Sequence, residues 1–144
     1  MATSELASLE RIVPIVNQSD VVLARQTGRE MARDLGFGTA DQTRLATAMS
    51  ELTRNALNYG GGGVCTVRDL SDEDWIRVGA VVEDHGPGIA NIEEALTEGF
   101  STVGSLGVGL PGARRLVQQF DIESEPGRTV VSIGIARRRN VSRT

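Results

Sequence analysis

Two acids and one amide carry the chemistry that this sequence could offer: Asp84, Glu51 and Asn55. Asp84 ends an apolar run, Trp75–Asp84, and opens the tight stretch Asp84-His85-Gly86-Pro87-Gly88. In a strand, side chains alternate, so Ile76, Val78, Ala80, Val82 and Asp84 share one face. Four apolar residues mark that face as the core side. Asp84 is thus a carboxylate delivered to an interior where an unpaired charge is very costly. Two uses would satisfy it: an Asx turn onto its own loop before Gly86, or a donor on a ligand entering a pocket. Thr129, Val131, Ile133 and Ile135 likewise share a face, which brings the Thr129 hydroxyl inward at a strand end. Taken alone, Thr129 reads as a satisfied structural hydroxyl.

Glu51 and Asn55 are four residues apart, on the flank of a helical stripe formed by Leu45, Met49, Leu52 and Ala56. They lie roughly 100° around the axis from that stripe, so both can point into one cleft. Asn offers a neutral oxygen to a hard cation such as magnesium, which takes much of its shell from water and phosphate. Glu can polarise an incoming hydroxyl or water. The pair alone reads more simply as a solvated polar face. Gly104-Ser105-Leu106-Gly107-Val108-Gly109-Leu110 stands at a helix start, where backbone amides and the helix dipole favour an anion. It is not the dinucleotide fingerprint, because its glycines run G-x-x-G-x-G and no strand directly precedes them. A mobile loop explains any one glycine cluster. Three clusters around a core-facing acid argue for a site.

The elements that must position these groups follow from periodicity and breakers. Glu10–Val16 contains Pro14 and reads as an edge strand. Ser19 is expected to cap a helix from Asp20 to Leu35, closed by Gly36. Thr39-Ala40-Asp41-Gln42 matches a capping box and opens a second helix to Tyr59, ended by Gly60 to Gly63. Strands are expected at Val64–Leu70 and Trp75–Asp84, joined by Ser71-Asp72-Glu73-Asp74. A weak helix at Ile92–Leu96 precedes the glycine stretch. The next helix carries the stripe Leu106, Leu110, Ala113, Val117 and Phe120. Asp121–Glu125 and Thr129–Ala136 form a closing hairpin around Pro126-Gly127. The expected class is α+β, a two-layer sandwich whose mixed, mostly antiparallel sheet has helices on one face. One domain over 1–144 is expected, with a core of about 10–136 and a frayed Arg-rich tail over 137–144.

Composition narrows the chemistry. Fifteen basic residues are all Arg, and there is no Lys. That excludes a P-loop, a Schiff-base enzyme and the usual eukaryotic-type protein kinase. With no Lys, phosphate charge must be met by amides, a metal ion or Arg. One Cys and one His, Cys65 and His85, cannot build a Cys/His zinc site. A lone Cys makes no internal disulfide, which fits a cytoplasmic setting. Cys65 and Trp75 read as strand residues, and His85 as solvated. A net charge of −4 argues against a nucleic-acid partner, and no apolar run approaches a membrane span.

Glu51-Leu52-Thr53-Arg54-Asn55-Ala56 resembles the N box of the GHKL ATPase and kinase superfamily, the Bergerat nucleotide-binding fold. Asp84 to Gly88 resembles its D-x-G-x-G box, and Gly104 to Leu110 the G-x-x-G-x-G-L box that closes the ATP lid. The likeness covers about Val16 to Ala136. Ala24-Arg25-Gln26, Leu35-Gly36-Phe37-Gly38 and Gly99-Phe100-Ser101-Thr102 resemble the RsbT-type switch kinases of the bacterial stressosome. These are related to the SpoIIAB- and RsbW-type anti-sigma kinases. The resemblance implies ATP- and Mg²⁺-dependent phosphorylation of Ser or Thr on STAS-domain partners. It also implies activation of a PP2C-type phosphatase by the released kinase. The alternatives are an anti-sigma factor kinase with a sigma factor as partner, or a nucleotide-dependent binding regulator without significant catalysis.

By matching position, the resemblance implies Glu51 as general base and Asn55 as the magnesium ligand. Asp84 would accept from the adenine amino group, with Thr129 nearby through water. Gly86 and Gly88 would shape the adenine pocket, and Gly104, Gly107 and Gly109 would bring backbone to the phosphates. Tyr59, Ser101, Thr102, Val108 and Leu110 complete the implied nucleotide-binding set. No Arg or Lys occurs between Arg77 and Arg114. The lid therefore lacks a cation, so charge stabilisation would rest on Mg²⁺, amides, and Ser101 or Thr102, and slow turnover is expected.

Overall fold

The computed structural model describes residues 10–97 and 109–139. Among the described residues, β1 (Glu10–Ile15) pairs only with β2 (Gly63–Asp69), which leaves Pro14 on an edge where its missing N–H breaks no ladder. β2 joins β3 (Trp75–Asp84) by a short turn, and β4 (Gln119–Glu125) joins β5 (Arg128–Arg138) the same way. The sheet runs β1-β2-β3-β5-β4, and every pairing is antiparallel. Among the described residues, the sheet expected to be mixed and mostly antiparallel is wholly antiparallel.

Two long helices, α1 (Gln18–Leu35) and α2 (Thr39–Gly60), cover one face. Between the layers, Val13, Ile15, Cys65, Val67, Val78, Ala80, Ile133 and Ile135 meet Val21, Ala24, Leu45, Met49 and Leu52, all buried. Burial pushes the Cys65 thiol up to about 12, so it stays protonated and inert. α3 (Ile92–Ala95) is a single turn, and α4 (Gly109–Leu116) packs on α2.

Several boundaries differ from expectation. Asn17, not Ser19, caps α1, in a reciprocal capping box with Asp20; Ser19 donates to the Asn17 oxygen at 2.6 Å. Gly38 precedes α2 with no side-chain cap, and Gln42 instead donates to the Phe37 carbonyl at 2.9 Å. α4 ends at Leu116, because the chain already pairs with β5 from Gln119, putting Phe120 opposite Ile133. Arg137 and Arg138 belong to β5 rather than to a frayed tail. Arg137 grips Asp41 at the start of α2 with two bonds, at 2.6 and 3.2 Å. Arg138 lies over the Trp75 ring, and Arg139 donates to the Asp72 carbonyl at 2.7 Å.

Candidate functional site

A cavity of about 490 Å³ opens between α2 and the ends of β3 and β5. Its wall on α2 is Leu52, Asn55, Ala56, Tyr59 and Gly60; Val82, Asp84, Thr129 and Val131 come from the sheet. Pro87, Gly88, Ile89 and Asn91 close one side, and Leu110 and Pro111 of α4 another. The apolar stripe that packs the core thus continues as the wall of the cavity.

Asp84 makes the first of the two contacts that strand phasing allowed, and its position leaves room for the second. Its Oδ1 accepts from Gly86 N–H at 2.9 Å, an Asx turn. Its Oδ2 accepts from none of the described residues, and the residue lines the cavity. Gly60 and Gly86 permit this arrangement by close approach. A Cβ on Gly60 would stand 2.4–2.6 Å from the Asp84 carboxyl group, and one on Gly86 would stand 2.6 Å from the Gly60 Cα. Gly88 has φ +88°, and a Cβ there would meet the Glu125 carbonyl at 2.4 Å.

Thr129 stands opposite Asp84 in the β3–β5 register and is buried. Its hydroxyl is 2.6 Å from that of Ser124, which also accepts from Ile89 N–H at 2.8 Å. Ser124 was not expected from sequence.

Glu51 does not line the cavity. It is buried beside it, with Oε2 taking Arg54 Nη1 at 2.8 Å and Oε1 taking the Gly109 N–H at 3.1 Å. Arg54, three residues along the same helix flank, is the cation that the reading of the lid left out. His85 is solvated beside Glu83, at 3.6 Å. Ser101, Thr102, Gly104, Gly107 and Val108 lie outside the described residues. The structure therefore brings Asn55, Tyr59, Asp84, Gly88, Leu110 and Thr129 around one cavity, with Glu51, Gly86 and Gly109 at its margins.

The family model for histidine kinase-, DNA gyrase B- and HSP90-like ATPases matches residues 40–138. The chain belongs to this ATPase family. As a member it is 45% identical over 115 residues to "Serine/threonine-protein kinase RsbT" of Bacillus subtilis (strain 168), covering 80% of this chain and 86% of that one. The ATPase fold recurs in the RsbU and RsbW domains of Rv1364c from Mycobacterium tuberculosis, with TM-score 0.63 and 20% identity. That match covers 89% of this chain but 33% of the other. The blue-light-activated histidine kinase of Erythrobacter litoralis EL346 matches with TM-score 0.51 and 20% identity, over 85% of this chain and 60% of that one. Among the described residues, no helix of this ATPase-family chain is long and apolar enough to cross a membrane.

Proposed function

We propose that the chain binds ATP with the adenine at Asp84 and transfers its terminal phosphoryl group to a serine or threonine of a STAS-domain partner. The carrying observation is Asp84 itself, with one oxygen held by its own loop and the other left to an apolar cavity that Asn55 also lines. The 45% identity to a serine/threonine kinase over 80% of the chain supports the transfer reaction. We also propose a cytoplasmic setting and, once the STAS partner lets go, docking to a PP2C-type phosphatase.

The residues present suit magnesium with a triphosphate. Among the described residues, no group of three or more His, Cys, Asp or Glu could cage a metal by itself. Asn55 offers one neutral oxygen, which matches an ion that keeps waters and takes phosphate oxygens. When bound, magnesium would neutralise charge on the transferring group. Glu51 takes the proton of the substrate hydroxyl at Oε1, the oxygen that Gly109 N–H otherwise occupies. Arg54 stays on Oε2 and fixes the carboxylate's direction. Asp84 and the apolar walls hold the base.

Incubation of the full chain with magnesium, labelled ATP and the STAS proteins encoded beside its gene should label one of them on Ser or Thr. Binding without label on any would leave a nucleotide-dependent binder. Absence of calorimetric heat with every adenine nucleotide would remove the pocket reading itself.

Gly60 supplies a narrower check. Gly60→Ala pushes a methyl group onto the Asp84 carboxylate. ATP affinity should fall about tenfold, about 1.4 kcal/mol. In an Asp84→Ala background the same change should do nothing further, since the two residues act through one contact. Additive losses in that double-mutant cycle would refute the link.

A further inference from the structure

Resting on the adenine reading above, we propose that Ser124 is a positioning residue that fixes the direction of the Thr129 hydroxyl and so sets which purine the pocket accepts. Asp84, Thr129 and Ser124 are consecutive cross-strand neighbours on β3, β5 and β4. Directly opposed residues in antiparallel pairs hold their Cβ atoms about 5 Å apart, so the three form one row. Ile89 N–H donates to the Ser124 oxygen at 2.8 Å, and the two hydroxyl oxygens are 2.6 Å apart.

The question is which hydroxyl donates to the other. At 2.6 Å either hydroxyl can donate, and half-buried Ser124 can also reach solvent; we take Ser124 as the donor. Ser124 does not line the cavity and Thr129 does, so this direction is the one that leaves a hydroxyl proton for the pocket. With Ser124 as donor, the unassigned proton belongs to Thr129, which does line the cavity. The chain of bonds then runs one way, from Ile89 N–H through Ser124 to Thr129 and into the pocket.

The row consequently presents an acceptor, Asp84 Oδ2, next to a donor, Thr129 Oγ1–H. That pattern complements a purine edge with an amino group beside an unprotonated ring nitrogen. It opposes an edge with a carbonyl beside a ring N–H, because like would face like at both positions. Without Ser124, the Thr129 hydroxyl is free to turn and accept, and half of the discrimination goes.

ATP and inosine triphosphate differ at this edge alone, so calorimetric titration of both, with magnesium, isolates it. Wild type should favour ATP; Ser124→Ala should narrow the affinity ratio about tenfold, and Ser124→Thr should keep it. Ser124→Val, β-branched and suited to a strand, repeats the alanine test if that variant folds poorly. A purely structural role for Ser124 would weaken both nucleotides alike and leave the ratio intact, which would overturn the proposal. So would equal wild-type affinity for the two nucleotides, although the nucleotide pocket itself would stand. Wild type binding neither nucleotide would overturn the pocket reading, and this proposal with it.

Discussion

Glu51→Gln is expected to bind ATP within about threefold of wild type and to lose phosphoryl transfer by about 10²- to 10⁴-fold, the usual share of a positioned general base. The glutamine keeps the shape of the side chain, and with its oxygen on the Gly109 N–H that Glu51 takes at 3.1 Å its NH₂ faces Arg54, so only the ion pair at 2.8 Å is lost. α4 therefore stays seated, and Asn55 and the cavity walls are untouched. What the amide cannot do is take a proton at neutral pH. Single-turnover transfer to the labelled STAS partner, run beside calorimetry, separates the two effects. Transfer at the wild-type rate would remove Glu51 from the chemistry and leave it as a seat for α4.

Asp84→Asn should cost about 1.5–3 kcal/mol of ATP binding, the range for hydrogen bonds to charged groups, or about ten- to 150-fold in affinity. The asparagine oxygen can still accept from Gly86 N–H, so the turn survives and the melting temperature should barely move. Its NH₂ then replaces Oδ2 and points a donor at a donor. The same substitution should improve binding of inosine triphosphate relative to ATP, because the new donor meets a carbonyl. Unchanged affinity for both nucleotides would take Asp84 out of base recognition.

Much of this site could be read before folding because it rests on local periodicity. The alternation Ile76, Val78, Ala80, Val82 and Asp84 survives intact in β3, and the helical stripe from Leu45 to Ala56 delivers Asn55 to the cavity. Both statements depend only on the phase of one element. What escaped depends on where a second element docks. Glu51 sits at the cavity's margin because α4 comes to rest against it, and Arg54 matters only through that same carboxylate. Phe120 fits a helical stripe and also the strand alternation Phe120, Ile122, Ser124; only pairing with β5 decides between them. Reading it as helix hid the phase that carries Ser124 to Thr129. The caps failed for a related reason. Ser19 and Thr39 are good cap types, but Asn17 and Gly38 are the residues with extended backbone at the two junctions.

The bond from Gly109 to Glu51 ties the fate of a helix to a reactive group. A descendant of this protein that abandoned catalysis could not discard the acid freely, since α4 would lose its peg. Drift at position 51 should favour side chains of the same length with an oxygen at the tip, so that silent relatives would still look armed.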